Sequence, residues 1–337
     1  MKHVYTSFLT FTLLTLTASS LYAQGPNDSG TYYQAADGKK GAALKTSLCG
    51  VIYDRNEGGD LNTAYKALWT HFKTTDAKPN GKVWDMYSNK REMTFGTDQD
   101  TGSGSQEGQY YNREHSMPNS WFGGKVMPMY TDLFHMYPTD KVVNNKRGNN
   151  PFGETANPSW KSANDFSKLG PCSVEGYSGV VFEPNDEYKG DFARTYFYMV
   201  TCYEEKLPNW YTSYAESQPT LDGNTYPGLS DWQLKMLMKW AKNDPVSENE
   251  TNRNNVFCGI QNNRNPFIDY PGLEEYIWGS LTDVAFSYND YQVPTAIMTI
   301  KAESANKEGV MYNLAGQIVD KSYKGIVIMN GKKFVNK

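Results

Sequence analysis

The segment from Asp191 to Glu205 (DFARTYFYMVTCYEE) limits what this chain can fold into more than any other. Its apolar and aromatic residues would run round nearly every side of a helix, and such a helix is stable in water only when other elements enclose it. It is therefore expected at the centre of a core. The chain has the means to build one, with 337 residues, 39% hydrophobic and 14% aromatic. That is ample for one large core or two modest ones. Most of the 25 tyrosines and 8 tryptophans would fill it, leaving a few rings able to stack on bases or sugars.

Two further stretches carry helical spacing. Leu61 to Thr75 (LNTAYKALWTHFKTT) reads as an amphipathic helix opened by Asp60, with His71 an ordinary member of it. Ser230 to Lys242 (SDWQLKMLMKWAK) reads as another, capped by Ser230 or Asp231 and stopped by Pro245. Val83 to Tyr87 alternates like a strand, with Arg91 to Phe95 as its partner. Asp98 to Glu107 is a glycine-broken turn that lacks the ligand pattern of a calcium loop, and Asn252 to Tyr270 is polar and asparagine-rich. After about Ser287 the character changes to short alternating segments (Ile297 to Ile300, Val310 to Leu314, Gly325 to Met329) joined by glycine turns. The expected class is α+β, with a mainly helical body over 46–286 and a small β appendage over 287–337.

The chain opens like an exported protein. Lys2 and His3 precede an apolar, threonine-rich run from Phe8 to Ala18, and Leu21-Tyr22-Ala23 suits a cut before Gln24, giving a signal over 1–23. That run is too short and too hydroxylated to span a membrane, and no second candidate follows. Gly25 to Lys40 reads as a loose leader, within a leader region of 24–45. In an oxidising compartment Cys49, Cys172, Cys202 and Cys258, even in number and free of any CxxC spacing, imply two disulfides rather than a metal site. Three pairings are open.

Chemistry concentrates between Asn112 and Glu154. Glu114 and His115 are adjacent, and a neutral imidazole is a suitable general base for water. Neighbours on a regular strand point to opposite faces, so both serve one site only if the backbone bends. Lys141 to Asn149 (KVVNNKRGN) would open a short helix with Asn144 and Arg147 on one face. A carboxylate and an amide oxygen suit a hard cation such as Mg²⁺, which keeps several waters, with Mn²⁺ or Ca²⁺ as alternatives. Arg147 offers a planar fork for phosphate oxygens. These are the parts of a phosphodiester hydrolase. The net charge of −4 lacks the basic footprint of a nucleic-acid binder, but an enzyme that releases its product needs only a local positive patch.

In order, these blocks resemble the bacterial endonuclease I family of secreted and periplasmic nucleases, over roughly Cys49 to Tyr270. The resemblance rests on Arg113-Glu114-His115 with Pro118 and Trp121, then Asp132-Leu133 through Pro138, and Val143-Asn144 through Arg147, Asn149 and Phe152-Gly153. Downstream, Ala193-Arg194-Thr195-Tyr196 with Met199, Ile260-Gln261-Asn262 and Asn265-Pro266-Phe267 complete it. It implies a ββα-metal core, His115 as general base, Glu114 and Asn144 holding the divalent ion, and cleavage of DNA, RNA or both to 5′-phosphate ends. Arg147 is then a catalytic candidate, and Arg113 and Arg194 are phosphate candidates, with a buried ion pair the alternative for Arg194. The family often has His-Asn after Asp-Leu, where this chain has Phe134-His135. His135 is thus either a residue orienting the site or a packed core histidine. Met311 to Gln317 with Lys324-Gly325-Ile326 resembles the terminal sorting modules of exported Bacteroidetes proteins, which implies outer-membrane export machinery as a partner.

Two rival readings come from other classes. One is a secreted protein that binds nucleic acid or glycans through its aromatic residues without catalysis. The other is a zinc hydrolase using His115, His135 and a carboxylate, disfavoured because the histidines lack an HExxH spacing.

Overall fold

The computed structural model describes residues 25–53, 61–294, 311–313, 318–320, 322–329 and 332–336. The signal segment, Asp60 and the Ile297 to Ile300 segment lie outside the described residues. At the centre is the helix expected there, α4 (Lys189–Cys202), in which every residue from Phe192 to Cys202 is buried. Around it pack α1 (Gly41–Ile52), which buries Leu44, Leu48 and Ile52, and α6 (Asp231–Asn243), which turns Trp232, Met236, Leu237 and Trp240 inward. Ser230 sits at the N-cap of α6, but its hydroxyl donates to the Pro219 carbonyl at 2.8 Å rather than accepting from the helix. The amphipathic α2 (Leu61–Thr75) has its expected bounds and buries Leu68 and Phe72.

The centre of the chain folds as strand, strand, helix. β1 (Tyr111–His115) pairs antiparallel with β2 (Met136–Asp140), placing Glu114 opposite Tyr137 and His115 opposite Met136. The last residue of β2, Asp140, caps α3 (Lys141–Arg147), its Oδ1 accepting from the Val142 and Val143 amides at 2.8 and 3.0 Å. α5 (Leu207–Ser213) follows α4, and the short α8 (Pro266–Asp269) and α9 (Leu273–Ile277) complete the body. A small antiparallel sheet β3 (Trp160–Lys161), β4 (Lys168–Pro171), β5 (Val180–Glu183) lies between α3 and α4 in sequence. Near the C-terminus β6 (Met311–Asn313), β7 (Ile318–Val319), β8 (Gly325–Met329) and β9 (Lys332–Asn336) form an antiparallel sheet in the order β7-β6-β8-β9. The architecture is thus α+β, mainly helical, with a β appendage.

Several sequence expectations change. Residues 25–40 are not loose: Tyr33 is fully buried and its hydroxyl donates to Asp269 at 2.6 Å, while Gly38 and Lys39 pair with the Phe286 backbone. Beyond residue 286, the Tyr288 carbonyl accepts from Tyr270 and that of Gln292 from Tyr276, at 3.0 and 2.7 Å. The Val83 to Tyr87 segment makes one isolated bridge, Val83 to Ala77, and one backbone bond toward its expected partner, Val83 to the Met93 carbonyl at 2.9 Å. It makes no ladder, because Asp85 Oδ1 draws the Tyr87 and Ser88 amides into a local turn at 2.8 and 3.2 Å. Part of the polar Asn252 to Tyr270 stretch belongs to α7 (Glu248–Gln261), which opens with a capping box of Ser247 and Glu250. No disulfide joins any of the four cysteines. Their sulfurs meet backbone instead: Cys49 Sγ the Cys202 carbonyl at 3.4 Å, Cys202 Sγ that of Ile52 at 3.5 Å, and Cys172 Sγ the Val174 amide at 3.4 Å.

Candidate active site

Along β1 the side chains alternate as a strand requires. Arg113 and His115 lean toward α2, where Arg113 stacks on Tyr65 and Trp69 and His115 lies parallel to the Tyr65 ring. Asn112 and Glu114 meet α3 instead, through Asn144 and Arg147. A cleft of about 330 Å³ lies astride the strand, and Arg113, Glu114, His115 and Asn144 all line it. No bend of the strand is needed, since its pairing with β2 runs through His115. A two-stranded ribbon leaves room for one cleft to reach both faces.

His115 is 8% exposed. Its Nε2 lies 2.9 Å from the Tyr130 carbonyl, which can only accept, so Nε2 carries the proton and Nδ1 the lone pair. Burial, the neighbouring His135 and nearby arginines push its pKa down to about 3, so the ring is a neutral base. His135 is wholly buried, its ring 5.5 Å from that of His115, and its Nε2 donates to the Met129 carbonyl at 2.6 Å. Burial lowers its pKa to about 4. It packs behind His115 and does not line the cleft. Among the described residues no three His, Cys, Asp or Glu side chains gather as a zinc site requires.

Glu114 is held from below. The Tyr87 hydroxyl donates to its Oε1 at 2.8 Å, and Arg147 Nη1 forms an ion pair with the same oxygen. Both of these side-chain donors fall on Oε1 and neither on Oε2, and Glu114 lines the cleft. Asn144 is arranged in the same manner: its Nδ2 donates to Asn112 Oδ1 at 2.8 Å, which turns its own Oδ1 the other way. One carboxylate oxygen and one amide oxygen are what a hard cation that keeps its waters takes from a protein, so these residues fit such an ion. Gly148 ends α3 at φ +57° and ψ −135°, a conformation that suits glycine, and returns the chain to the cleft rim.

The arginines divide. Arg113 is half-buried at the cleft wall, its Nη1 donating to the Tyr65 carbonyl at 2.6 Å and its guanidinium 3.5 Å from the Tyr65 ring centre. Arg147, expected to fork onto phosphate, is fully buried. Its fork is occupied by Glu114 and by the His115 and Ser116 carbonyls at 2.8 and 2.5 Å, and it does not line the cleft. Arg194 is also enclosed, 2% exposed, and grips both oxygens of Glu250 at 2.5 and 2.8 Å. It forms a buried ion pair and does not line the cleft.

The remaining motif blocks form the framework. Asp132 accepts from Tyr198 and Tyr203 through Oδ2 at 2.8 and 2.7 Å and from Gln261 through Oδ1 at 3.0 Å, tying the entry to β2 to α4 and α7. Tyr196 donates to the Ser116 carbonyl at 2.9 Å, at the exit of β1. Sequence reading missed Tyr87, Asn112, Tyr65 and Tyr130 in the site. Asn112 was within reach, two residues before Glu114 and hence on the same face. Tyr87 reaches Glu114 only through folding, and no local signal marks it.

The chain that folds into this strand-strand-helix unit has relatives among known proteins. The family model for Endonuclease I matches residues 40–272. An extracellular ribonuclease of Bacillus amyloliquefaciens is 33% identical over 261 residues, spanning 74% of this chain and 79% of the relative. The extracellular ribonuclease of Bacillus subtilis (strain 168) is 33% identical over 260 residues, with the same coverage. Endonuclease-1 of Buchnera aphidicola is 27% identical over 139 residues, 41% of this chain and 46% of the relative. The chain belongs to the endonuclease I family, and it is a nuclease.

Proposed function

We propose that this nuclease is a secreted, non-specific endonuclease that hydrolyses phosphodiester bonds of DNA, RNA or both to 5′-phosphate ends. The observation that carries the proposal is His115: a neutral imidazole with its proton pinned on Nε2, lining a polar cleft beside Glu114, Asn144 and Arg113. His115 Nδ1 takes the proton of the attacking water, and in-line displacement releases the 3′ oxygen. Arg113, pre-stacked on Tyr65, offers the rest of its fork to a phosphate oxygen. Arg147 keeps Glu114 and the His115 backbone in place, and His135 supports the imidazole from behind. Glu114 and Asn144 would hold a divalent cation, Mg²⁺ in the first instance, which when bound neutralises charge on the pentacovalent phosphate and leaving oxygen.

Secretion is proposed from the signal-like segment 1–23 and from the relatives named extracellular. Among the described residues no helix is long and apolar enough to cross a membrane. The tail beyond the body is proposed to serve export or surface attachment.

The test uses mature protein with plasmid DNA and with structured RNA, in Mg²⁺ or EDTA, beside His115→Ala. The expected result is metal-dependent cutting that falls about 10²- to 10⁴-fold in the variant. Cutting that survives the substitution removes His115 from the role of base. Retained binding with no turnover of either polymer by folded, Mg²⁺-loaded protein would establish the non-catalytic reading instead.

A further inference from the structure

We propose that Tyr87 and Asn112 are positioning residues which decide the oxygens offered to the cation, one from Glu114 and one from Asn144, and so favour a small ion that keeps its waters over Ca²⁺. The inference rests on the metal assignment made above.

The argument starts from the unequal use of the Glu114 carboxylate. A buried carboxylate free to turn can clasp a cation with both oxygens. Here Oε1 already accepts from the Tyr87 hydroxyl at 2.8 Å and from Arg147, all three side chains being buried. A half-turn only exchanges the two equivalent oxygens, whereas tilting the carboxylate to set both on one ion would draw its acceptor away from Tyr87 and Arg147 inside the protein, which is costly. The carboxylate is thereby restricted to one oxygen.

Asn112 imposes the matching constraint on Asn144. An amide can present oxygen or nitrogen to the same point by rotating half a turn, and only oxygen binds a hard cation. With Asn144 Nδ2 donating to Asn112 Oδ1 at 2.8 Å, the oxygen is turned from Asn112. Residues 112 and 114 share one face of β1, and α3 lies against that face, so both constraints come from the same packing.

Two single-oxygen ligands are few. Ca²⁺ takes six to eight oxygens and commonly uses a carboxylate through both, whereas Mg²⁺ takes one or two protein oxygens and fills its octahedron with water. The restricted set suits the second ion, and Mn²⁺ serves as its spectroscopic probe. Outer hydrogen-bond partners of this kind typically change metal affinity about 10- to 100-fold when removed.

The experiment measures binding, not turnover. Free Mn²⁺ is followed by electron paramagnetic resonance, and Ca²⁺ by its competition with Mn²⁺, for the full mature protein and for Glu114→Gln, Tyr87→Phe, Asn112→Ala and Asn112→Asp. Tyr198→Phe, which removes a buried hydroxyl from Asp132, controls for general loosening of the core. Thermal unfolding of each protein confirms that it is folded. The expected result is Mn²⁺ binding that is lost in Glu114→Gln and weakened about tenfold in Asn112→Ala. Asn112→Asp, which keeps an acceptor for Asn144, restores binding. Tyr87→Phe narrows the preference for Mn²⁺ over Ca²⁺, and Tyr198→Phe changes neither quantity. Mn²⁺ binding lost in Glu114→Gln but unchanged in affinity and preference in both Tyr87→Phe and Asn112→Ala overturns the inference and leaves the metal site standing. Binding that is absent in the natural protein, or equal in Glu114→Gln, overturns the metal assignment itself. Should Tyr87→Phe fail to fold, the two Asn112 variants decide the matter.

Discussion

Among the described residues two arginine-glutamate pairs are buried, and they do different work. Arg194 sets its Nε and Nη2 on the two separate oxygens of Glu250, and Ser247 of the α7 capping box adds its amide to Oε2 at 2.8 Å. Both carboxylate oxygens are consumed, and the pair is a joint between α4 and α7. Arg147 instead shares Oε1 of Glu114 with Tyr87, and neither takes Oε2 of this cleft-lining residue. The same two residue types, equally enclosed, thus make a framework in one place and a primed ligand in the other. What separates them is how many oxygens the protein itself uses, which neither burial nor charge reveals.

The largest effects should come from breaking each pair in turn. Glu114→Gln removes the carboxylate paired with Arg147, and Glu250→Gln leaves Arg194 only Asp191, 3.9 Å away, as counter-charge. Each should lower unfolding free energy, by about 3 to 5 kcal/mol for the first and by less for the second. Only Glu114→Gln should also reduce cutting per folded molecule, by about a hundredfold or more. Denaturant unfolding and single-turnover cleavage separate the two. Equal activity loss in both variants would erase the distinction.

A third buried carboxylate sharpens the contrast because no arginine grips it. Glu274 is 5% exposed, its Oε2 has no hydrogen-bond partner among the described residues, and burial raises its pKa to about 7. A carboxyl whose pKa is raised on folding binds more protons when native than when unfolded, so stability falls as pH rises between about 4.5 and 7. The loss attributable to it is at most about 3 kcal/mol. Glu274→Gln should flatten this slope in urea titrations across that window, and an unchanged slope would place the pH dependence elsewhere.

The smallest effects concern the helix caps that serve the two pairs. Asp140 caps α3, which carries Arg147, and Ser247 caps α7, which carries Glu250. Asp140→Ala and Ser247→Ala should each cost about 1 kcal/mol in stability. Cutting should drop only in Asp140→Ala, because only that helix also presents Asn144 to the cleft. Loss of activity in Ser247→Ala as well would mean that the joint between α4 and α7 reaches the site.

The order of residues along the chain determined a good deal. The apolar density of Phe192 to Cys202 placed α4 in the core, and the periodicity of Leu61 to Thr75 fixed α2, since burial of a contiguous pattern is a local matter. The spacing of Asn144 and Arg147 set both on one side of α3, and the adjacency of Glu114 and His115 marked the cleft. Elements held by side-chain networks escaped notice. α7 is mostly polar, and its cap, the Arg194–Glu250 pair and Arg253 on Asp76 hold it together with the one core side chain Phe257. Tertiary structure alone decided that Arg147 and Arg194 face inward, because an arginine is driven inside only by partners distant in sequence, here Glu114 and Glu250. It alone brought Tyr87 beneath Glu114 and stacked Arg113 on Tyr65. A motif names the residue types that chemistry requires, but which atom of each is free to act depends on hydrogen bonds from elsewhere in the fold.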